Sequence, residues 1–182
     1  MEDFNLPKDL SVKEHYSRLQ EFEACISDLG IETALYDSDE LEVDFPVLIA
    51  TLGEDYKGDD IDVSAFLSPY LDNAEQNINF LQLSYMFDLS ISKDKLPDML
   101  IFLNEINSLL VIGNFVIDDD TISFRYTYSV SSSSPVRDSG FEETFSIFSL
   151  LLVGVHEIIC KLAVGSITMS DALSDIEEIF KQ

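Results

Sequence analysis

The stretch Gly113–Val130, GNFVIDDDTISFRYTYSV, decides the fold class of this chain. From Thr121 to Val130, polar and apolar side chains alternate without interruption, which is the period of a β-strand with one buried face. Three aspartates, Asp118–Asp120, separate this run from the apolar residues 115–117, and aspartate is typical of tight turns. The stretch therefore predicts a β-hairpin of two antiparallel strands.

A helix is expected before this hairpin. Pro97 suits the first turn of a helix, because the amide that proline lacks would be unpaired there in any case. Gly113 and Asn114 are expected to end the helix. The apolar residues that recur every three or four positions are predicted to face inward: Leu96, Met99, Leu100, Leu103, Ile106 and Leu110.

Two more helices are expected after the hairpin. Between them and the hairpin, the serine-rich segment Ser131–Ser139 predicts a mobile loop. Phe141–Val164 then predicts a long helix that is apolar around most of its circumference, so several of its sides need to be covered. Thr168 and Asp171 have the spacing of a capping box at the start of a short last helix.

The first half of the chain begins with a helix and continues with a second hairpin. Ser11–Glu14 predicts the start of the helix as a capping box, and Gly30 predicts its end. Alternating residues predict strands over 31–35 and 41–49, joined by a turn at Asp37–Glu40.

The region around the second strand is less regular. Pro46 favours an edge position or a bulge, because proline has no amide to donate to a neighbouring strand. From Gly53 to Asn77, the content of Gly, Asp, Asn and Pro predicts a long irregular connection, and the sequence leaves open a short element of unassigned type at Ile61–Leu71. A third strand is expected at Leu81–Ile91, where apolar residues alternate again.

The order of these elements is helix, hairpin, strand, helix, hairpin, helix, helix. Such an order indicates the α+β class, in which an antiparallel sheet is packed with helices, rather than alternating βαβ units. A chain of 182 residues has the size of one ordinary domain, and 46% of its residues are hydrophobic. We therefore expect residues 1–182 to form a single folded domain.

The charge is strongly acidic. Thirty-five acidic residues against ten basic ones give a formal net charge of -25, which repels nucleic-acid backbones and anionic membranes. Eleven carboxylates and a single base, Lys57, lie between Glu32 and Asp62. This acidic segment has two interpretations, namely a solvated surface that keeps the protein soluble and a surface that attracts a basic partner.

The sequence also indicates a cytoplasmic protein. Met1–Lys8 lacks the basic and apolar regions of a secretory signal. Cys25 and Cys160 lie far apart among apolar neighbours, which predicts two buried thiols in a reducing compartment. The most apolar stretch, Phe145–Val155, is shorter than the ~20 residues of a membrane span, so no transmembrane helix is expected.

No motif predicts catalytic, cofactor-binding or metal-binding residues. His156 and Cys160 have metal-ligand spacing, but a second histidine is missing, so we interpret them as core residues. An enzyme would need this pair to line an open pocket. His15 is expected at the surface, and the carboxylates of Glu54–Asp62 and Asp118–Asp120 are expected in solvated loops without calcium.

The second half resembles the YbjN-like bacterial family, whose fold is similar to that of type III secretion chaperones. The resemblance is carried by FLNEINSLL in the helix, by GNFVIDDDTISFRYTYSV in the hairpin and by the long helix from Phe141 onward. It implies a small, acidic, dimeric and non-enzymatic protein that binds an extended partner segment or acts in regulation. The long connection Gly53–Asn77 and the last helix depart from the compact chaperone pattern.

These observations favour a protein-binding module, chaperone-like or regulatory, over an enzyme. The long helix, or a sheet face bearing Tyr126 and Tyr128, is expected to stay partly exposed in a monomer, and a homodimer would cover it. The alternative is an acidic inhibitor, such as an immunity protein, that binds a basic partner through the carboxylates of Glu32–Asp62.

Overall fold

The computed structural model describes residues 12–68, 77–89 and 91–181. Within them, six strands form one antiparallel sheet in the order β1-β2-β3-β4-β6-β5. The strands are β1 Glu32–Tyr36, β2 Val47–Glu54, β3 Asp60–Leu67, β4 Ile78–Met86, β5 Asn114–Asp118 and β6 Thr121–Ser131. The α-helices are α1 Val12–Asp28, α2 Ser38–Leu41, α3 Leu96–Leu109, α4 Phe141–Ala163 and α5 Met169–Phe180. The predicted α+β class is confirmed.

The contacts between Cα atoms divide the chain into two compact units, each assembled from three separate stretches. The described residues of unit 1 are 12–51, 62–68, 77–83 and 127–145. Those of unit 2 are 52–61, 84–89, 91–126 and 146–181. That residues 1–182 form a single domain stays a prediction.

In unit 1, α1 buries one face, which contains Leu19, Phe22, Cys25 and Ile26. Their spacing of three and four residues is that of a helical stripe. Phe22 meets Phe141 edge-on, with ring centroids 4.7 Å apart. Gly30 follows the helix with φ of 80°, as predicted for a left-handed end, whereas the predicted cap Ser11 lies outside the described residues.

Arg18 joins α1 to the serine-rich segment after β6. Its Nη2 donates to the carbonyl oxygens of Ser131 and Ser134 at 2.7 and 2.8 Å, and its Nη1 donates to the Glu21 carboxylate at 2.8 Å. Glu21 also accepts a hydrogen bond from the amide of Val136, where a 3₁₀ helix begins. The segment predicted as a mobile loop is therefore anchored at Ser131, Ser134 and Val136, and it contains a helical turn.

The hairpin β1–β2 differs from the prediction at its turn. Residues 38–41 form the short helix α2, in which Asp37 and Glu40 make a capping box, so β2 begins at Val47 and not at Leu41. Alternation predicted that the strand begins at Leu41, and this was wrong. The side chains of Asp37 and Glu40 cap a helical turn at these residues instead. Pro46 precedes β2, which lies between β1 and β3 and is not an edge strand.

The predicted irregular connection contains a strand, β3, at the place where the sequence leaves a short element of unassigned type. The buried side chains of β3 alternate along it: Ile61, Val63, Ala65 and Leu67. The turn before it is closed by Asp55, whose carboxylate accepts hydrogen bonds from the amides of Lys57 and Asp59 at 2.7 and 3.0 Å. The remainder of the connection, residues 69–76, lies outside the described residues.

In unit 2, aromatic side chains form the centre of the core. The Phe124 ring stacks between Phe115 and Phe148, with centroid distances of 4.5 and 4.6 Å. Gly113, with φ of 72°, passes so close that an added Cβ would lie 2.7 Å from the Phe124 ring. Gly113 was predicted to end α3, but the helix has already ended at Leu109. The glycine instead allows close packing of the chain just before β5.

Helix α3 and strand β4 confirm the predicted elements with corrected details. The buried residues of α3 are Met99, Phe102, Leu103 and Ile106. Leu100, which was predicted to face inward, is exposed. Strand β4 ends at Met86, earlier than the predicted Ile91, but the amides of Phe87 and Ile91 still donate to the carbonyls of Ile122 and Asp120.

The two C-terminal helices form where they are predicted. Helix α4 is 23 residues long, and its buried residues include Phe148, Leu152, Val155 and Ile159. The capping box that starts α5 is present, because Thr168 accepts from the Asp171 amide and Asp171 accepts from the Thr168 amide. The hairpin β5–β6 also forms as predicted, with Asp118 opposite Thr121.

Candidate functional site

His156 and Cys160 lie one turn apart on α4 inside the aromatic core of unit 2. The Nε2 of His156 is 2.8 Å from the hydroxyl oxygen of Tyr85, and its ring stacks on Phe87 at a centroid distance of 5.1 Å. The sulfur of Cys160 is 4.0 Å from either ring nitrogen of His156. His156 is only 4% exposed and Cys160 only 6%. The pair is a packed core cluster that no substrate reaches in this conformation, in agreement with its predicted structural role.

Burial also determines the protonation of this cluster. It lowers the pKa of His156, which favours the neutral imidazole. Burial raises the pKa of Cys160 to about 11, so the thiol stays protonated at neutral pH and is a poor nucleophile. Cys25 is buried in unit 1, and burial together with Glu142 raises its pKa too. Both cysteines are free and buried, as predicted.

His15 is the second histidine and lies in unit 1. The prediction of a surface position was wrong, because the residue is 6% exposed. It precedes Leu19 by four residues, so the helical period places it on the buried stripe of α1. A polar residue near a helix start resembles a solvated one in sequence, and only the phase of the stripe distinguishes the two.

The carboxylates of the two acidic segments singled out in the sequence lie mostly at the surface. All the carboxylates between Glu32 and Asp62 are exposed except the half-buried Asp55, which closes the β2–β3 turn. Asp118–Asp120 form the end of the β5–β6 hairpin. Across the residues that the structure describes, no group of three His, Cys, Asp or Glu side chains could hold a metal ion.

Helix α4 carries an exposed apolar stripe in unit 2, which we call the α4 stripe. It consists of Ile147, Leu150 and Val153, which are 42%, 74% and 48% exposed. Their spacing of three residues places them on one side of the helix. No charged residue lies between Ser146 and His156. Of the two surfaces that the sequence offered as alternatives, the long helix is the one with large exposed apolar side chains, whereas on the sheet Tyr126 is half-buried and Tyr128 is buried.

The length and composition of α4 would also suffice to cross a membrane. Its most apolar window has a mean hydropathy of 1.8, and half of that window is buried inside the protein. A core helix of a soluble protein has the same properties, because it must be covered on several sides. The absence of a membrane span stays a prediction.

Comparison of the chain with protein-family models finds no match, and comparison with curated proteins finds none either.

Sequence reasoning found the elements of the site but not its exact surface. It predicted an apolar helix whose surface has to be covered. Which side of that helix stays exposed depends on which of its side chains already pack inside the protein, and the sequence pattern does not show this. It also did not single out Ser123, whose hydroxyl is buried without a partner among the described residues. Strand alternation places Ser123 on the polar face of β6, and the burial of this one position is not visible in the pattern.

Proposed function

We propose that this protein is a non-enzymatic protein-binding module with a chaperone-like or regulatory role, and that it acts as a homodimer. The observation that carries the proposal is the α4 stripe. Leu150 stands 74% exposed on a helix face without charges, and an exposed group of large apolar side chains is typical of an interface. A second copy of the chain is the occupant we assign to the stripe, since two-fold pairing lets one surface cover itself.

The charge of the protein sets a condition on this dimer. Two copies with a formal charge of -25 each repel one another, so apolar contact has to exceed the repulsion. Screening by salt reduces the repulsion and leaves the apolar contact intact. We therefore expect the dimer to become tighter as the salt concentration rises.

Sedimentation equilibrium of the purified chain tests the proposal. The expected result is a mass of twice 20.5 kDa that is lost in the variant Leu150→Glu, because the new carboxylate would be desolvated in the interface. The matched control is Leu41→Glu, which adds the same charge at an exposed leucine of α2 and should leave the dimer intact. A wild-type monomer at all salt concentrations would contradict the proposed dimer.

A capture experiment extends the test to other partners. Immobilised wild type and Leu150→Glu are compared as bait at low and high salt. The proposal predicts a stoichiometric protein that survives high salt and depends on Leu150. If the protein neither dimerises nor retains a partner in this way, the protein-binding function is refuted.

The second candidate function is an acidic inhibitor of a basic protein. The exposure of the carboxylates between Glu32 and Asp62 supports it. In this case the captured partner is basic, is released as salt rises, and is lost when Asp39, Glu42 and Asp44 are replaced by their amides. Unchanged capture by that triple variant would refute the inhibitor.

A further inference from the structure

Strand β1 of unit 1 is an edge strand of the sheet. It pairs with β2 on one side, with Glu32 opposite Thr51 and Tyr36 opposite Val47. Across the described residues, no strand pairs with its other side, and no backbone hydrogen bond other than those to β2 involves residues 32–36. Every second residue of an antiparallel edge strand directs its amide and carbonyl away from the sheet. The outer edge of β1 therefore offers donors and acceptors that no described residue uses.

Strand β5 of unit 2 is also an edge strand, but a side chain covers part of its edge. Asn107 donates to the carbonyl of Phe115 at 2.9 Å and accepts a hydrogen bond from the amide of Phe115 at 2.8 Å. An asparagine side chain has the same groups as the backbone of a neighbouring strand, so it takes the place of one at this residue. Edges are commonly protected in folded proteins because an open edge pairs with other chains. Among the described residues, β1 lacks such a cover.

The side chains of β1 are incompletely covered on both faces of the sheet. Thr33 faces α1, where its Oγ1 lies 3.0 Å from the Oγ of Ser27, and alternation places Leu35 on the same face. Ala34 and Tyr36 point to the opposite face. Leu35 and Tyr36 are both half-buried. An added strand would cover these side chains further, and cross-strand pairs of this kind stabilise a sheet.

The charge around β1 determines which strand can pair there. Glu32 lies on β1 itself, and exposed carboxylates follow in the connection to β2: Asp37, Asp39, Glu40, Glu42 and Asp44. Two copies of this edge would bring like charges together, so the carboxylates oppose self-pairing. A segment that carries lysine or arginine is attracted instead. The complementary occupant is therefore an extended and basic segment.

We propose that the outer edge of β1 binds an extended basic segment of a partner protein, which joins the sheet as an additional strand. Backbone hydrogen bonds to β1 hold the segment, and the surrounding carboxylates select its basic residues. The inference rests on the proposed protein-binding function but uses a surface other than the α4 stripe. It therefore holds or fails independently of the homodimer.

Hydrogen exchange measured by NMR with a designed peptide tests this site. The probe is a blocked peptide of about nine residues, the length of a long strand, in which lysine and valine alternate. At saturating peptide, exchange should become about tenfold slower at every second amide of residues 32–36, because only the outward amides gain a hydrogen bond. The Leu150→Glu variant should give the same pattern.

Two outcomes of this measurement would overturn the proposal. One is a peptide that fails to bind, or binds without the alternating protection of β1. The other is alternating protection of the outward amides before any peptide is added, which would assign the edge to a second copy or to another part of this chain.

Control peptides separate the contribution of the backbone from that of the charge. D-valine in place of valine keeps the composition and the charge but disrupts a regular strand, so the affinity should fall about tenfold or more. Glutamate in place of lysine keeps the alternation and reverses the charge, so binding should be lost. Equal affinity of either control and the lysine–valine peptide would overturn the proposed mode of binding.

Charge variants of the protein locate the interaction. Replacing Asp39, Glu42 and Asp44 by their amides should weaken the peptide about fivefold, because attraction near the β1 edge is reduced. The matched control replaces the three residues Asp118–Asp120 of the β5–β6 turn by asparagine, removes the same charge, and should change the affinity less than about twofold. Equal losses in the two variants, or none in the first, would overturn the location at β1.

Discussion

At the residue scale, Ser123 is a group whose replacement should stabilise the free protein. Its buried Oγ has no hydrogen-bond partner among the described residues, so Ser123→Ala removes a desolvated polar atom. We expect the free energy of unfolding in urea to rise by about 1 kcal/mol. Ser129→Ala, at an exposed position of the same strand, is the control and should change it little. A destabilised Ser123→Ala would show that the hydroxyl has a partner in solution.

His156 should make stability depend on pH. Burial lowers its pKa in the folded state, so below the unfolded pKa of about 6.5 the unfolded chain binds a proton that the folded chain does not. Stability is therefore complete above that pH and decreases as the pH falls below it, by at most about 1.4 kcal/mol per pH unit, until the folded pKa is reached.

Urea unfolding of the wild type and of His156→Gln between pH 8 and pH 5.5 measures this effect. Glutamine keeps a hydrogen-bonding group for the Tyr85 hydroxyl but does not titrate in this range. The wild type should lose more stability than the variant as the pH falls. Parallel curves for the two proteins would assign the pH dependence to other groups.

At the scale of elements, Arg18 should hold the serine-rich segment in place. Its side chain is 11% exposed and donates to two backbone carbonyls of that segment, so Arg18→Gln leaves the half-buried carbonyl of Ser131 and the exposed carbonyl of Ser134 without this charged donor. We expect a loss of about 1–3 kcal/mol. The amide of Val136 donates a hydrogen bond to the Glu21 carboxylate, and its hydrogen exchange should also become faster in this variant.

Arg137→Gln is the matched control for Arg18. Arg137 forms an ion pair with Asp28, and both side chains are mostly exposed. Exposed ion pairs contribute little, so the loss should stay below about 1 kcal/mol. An equal effect of the two variants would show that the contacts of Arg18 do not anchor the segment.

The sequence predicted an element correctly where a single local pattern, such as strand alternation or a capping box, had no competing pattern in the same residues. Strand β6 follows from alternation, because its apolar side chains share one face of the strand. The start of α5 follows from the Thr168–Asp171 pair, because these two side chains satisfy free amides at the beginning of the helix. Strand β3 could not be assigned as a strand because the exposed Asp60 and Asp62 give its sequence the composition of a loop. The predicted start of β2 was wrong because Leu41 fits the alternation of the strand that follows. In the structure, Leu41 is the last residue of the capped helix α2.

The candidate site was less predictable than the elements. Whether an apolar residue of α4 is buried depends on neighbours that are distant in sequence, so Phe148 and Leu150 look alike in the pattern but have opposite exposures. The same holds for Ser123, because its burial results from residues brought together by the fold. Such properties belong to tertiary packing and have no local signal.

At the scale of the whole molecule, charge repulsion should reduce stability. With a formal charge of -25, the folded chain concentrates negative charge that salt can screen. Raising sodium chloride from about 20 to about 300 mM should increase the free energy of unfolding by about 1–2 kcal/mol. Thermal and urea unfolding at matched protein concentration would measure this.

The variant that neutralises Asp39, Glu42 and Asp44 is the control for the salt effect. It carries three fewer negative charges on an exposed region, so it should be more stable at low salt and gain less from added salt. Salt dependence identical to that of the wild type would show that repulsion among these charges is negligible.

The burial of both cysteines makes the protein convenient for site-directed labelling. With a pKa of about 11, Cys160 is ionised to only about one part in ten thousand at pH 7, and Cys25 is also buried with a raised pKa. Maleimide reagents should therefore leave the native wild type unmodified. A cysteine introduced at the exposed Leu150 would carry the only reactive thiol, so spin labels or photocrosslinkers attached there would report on what approaches the α4 stripe without background.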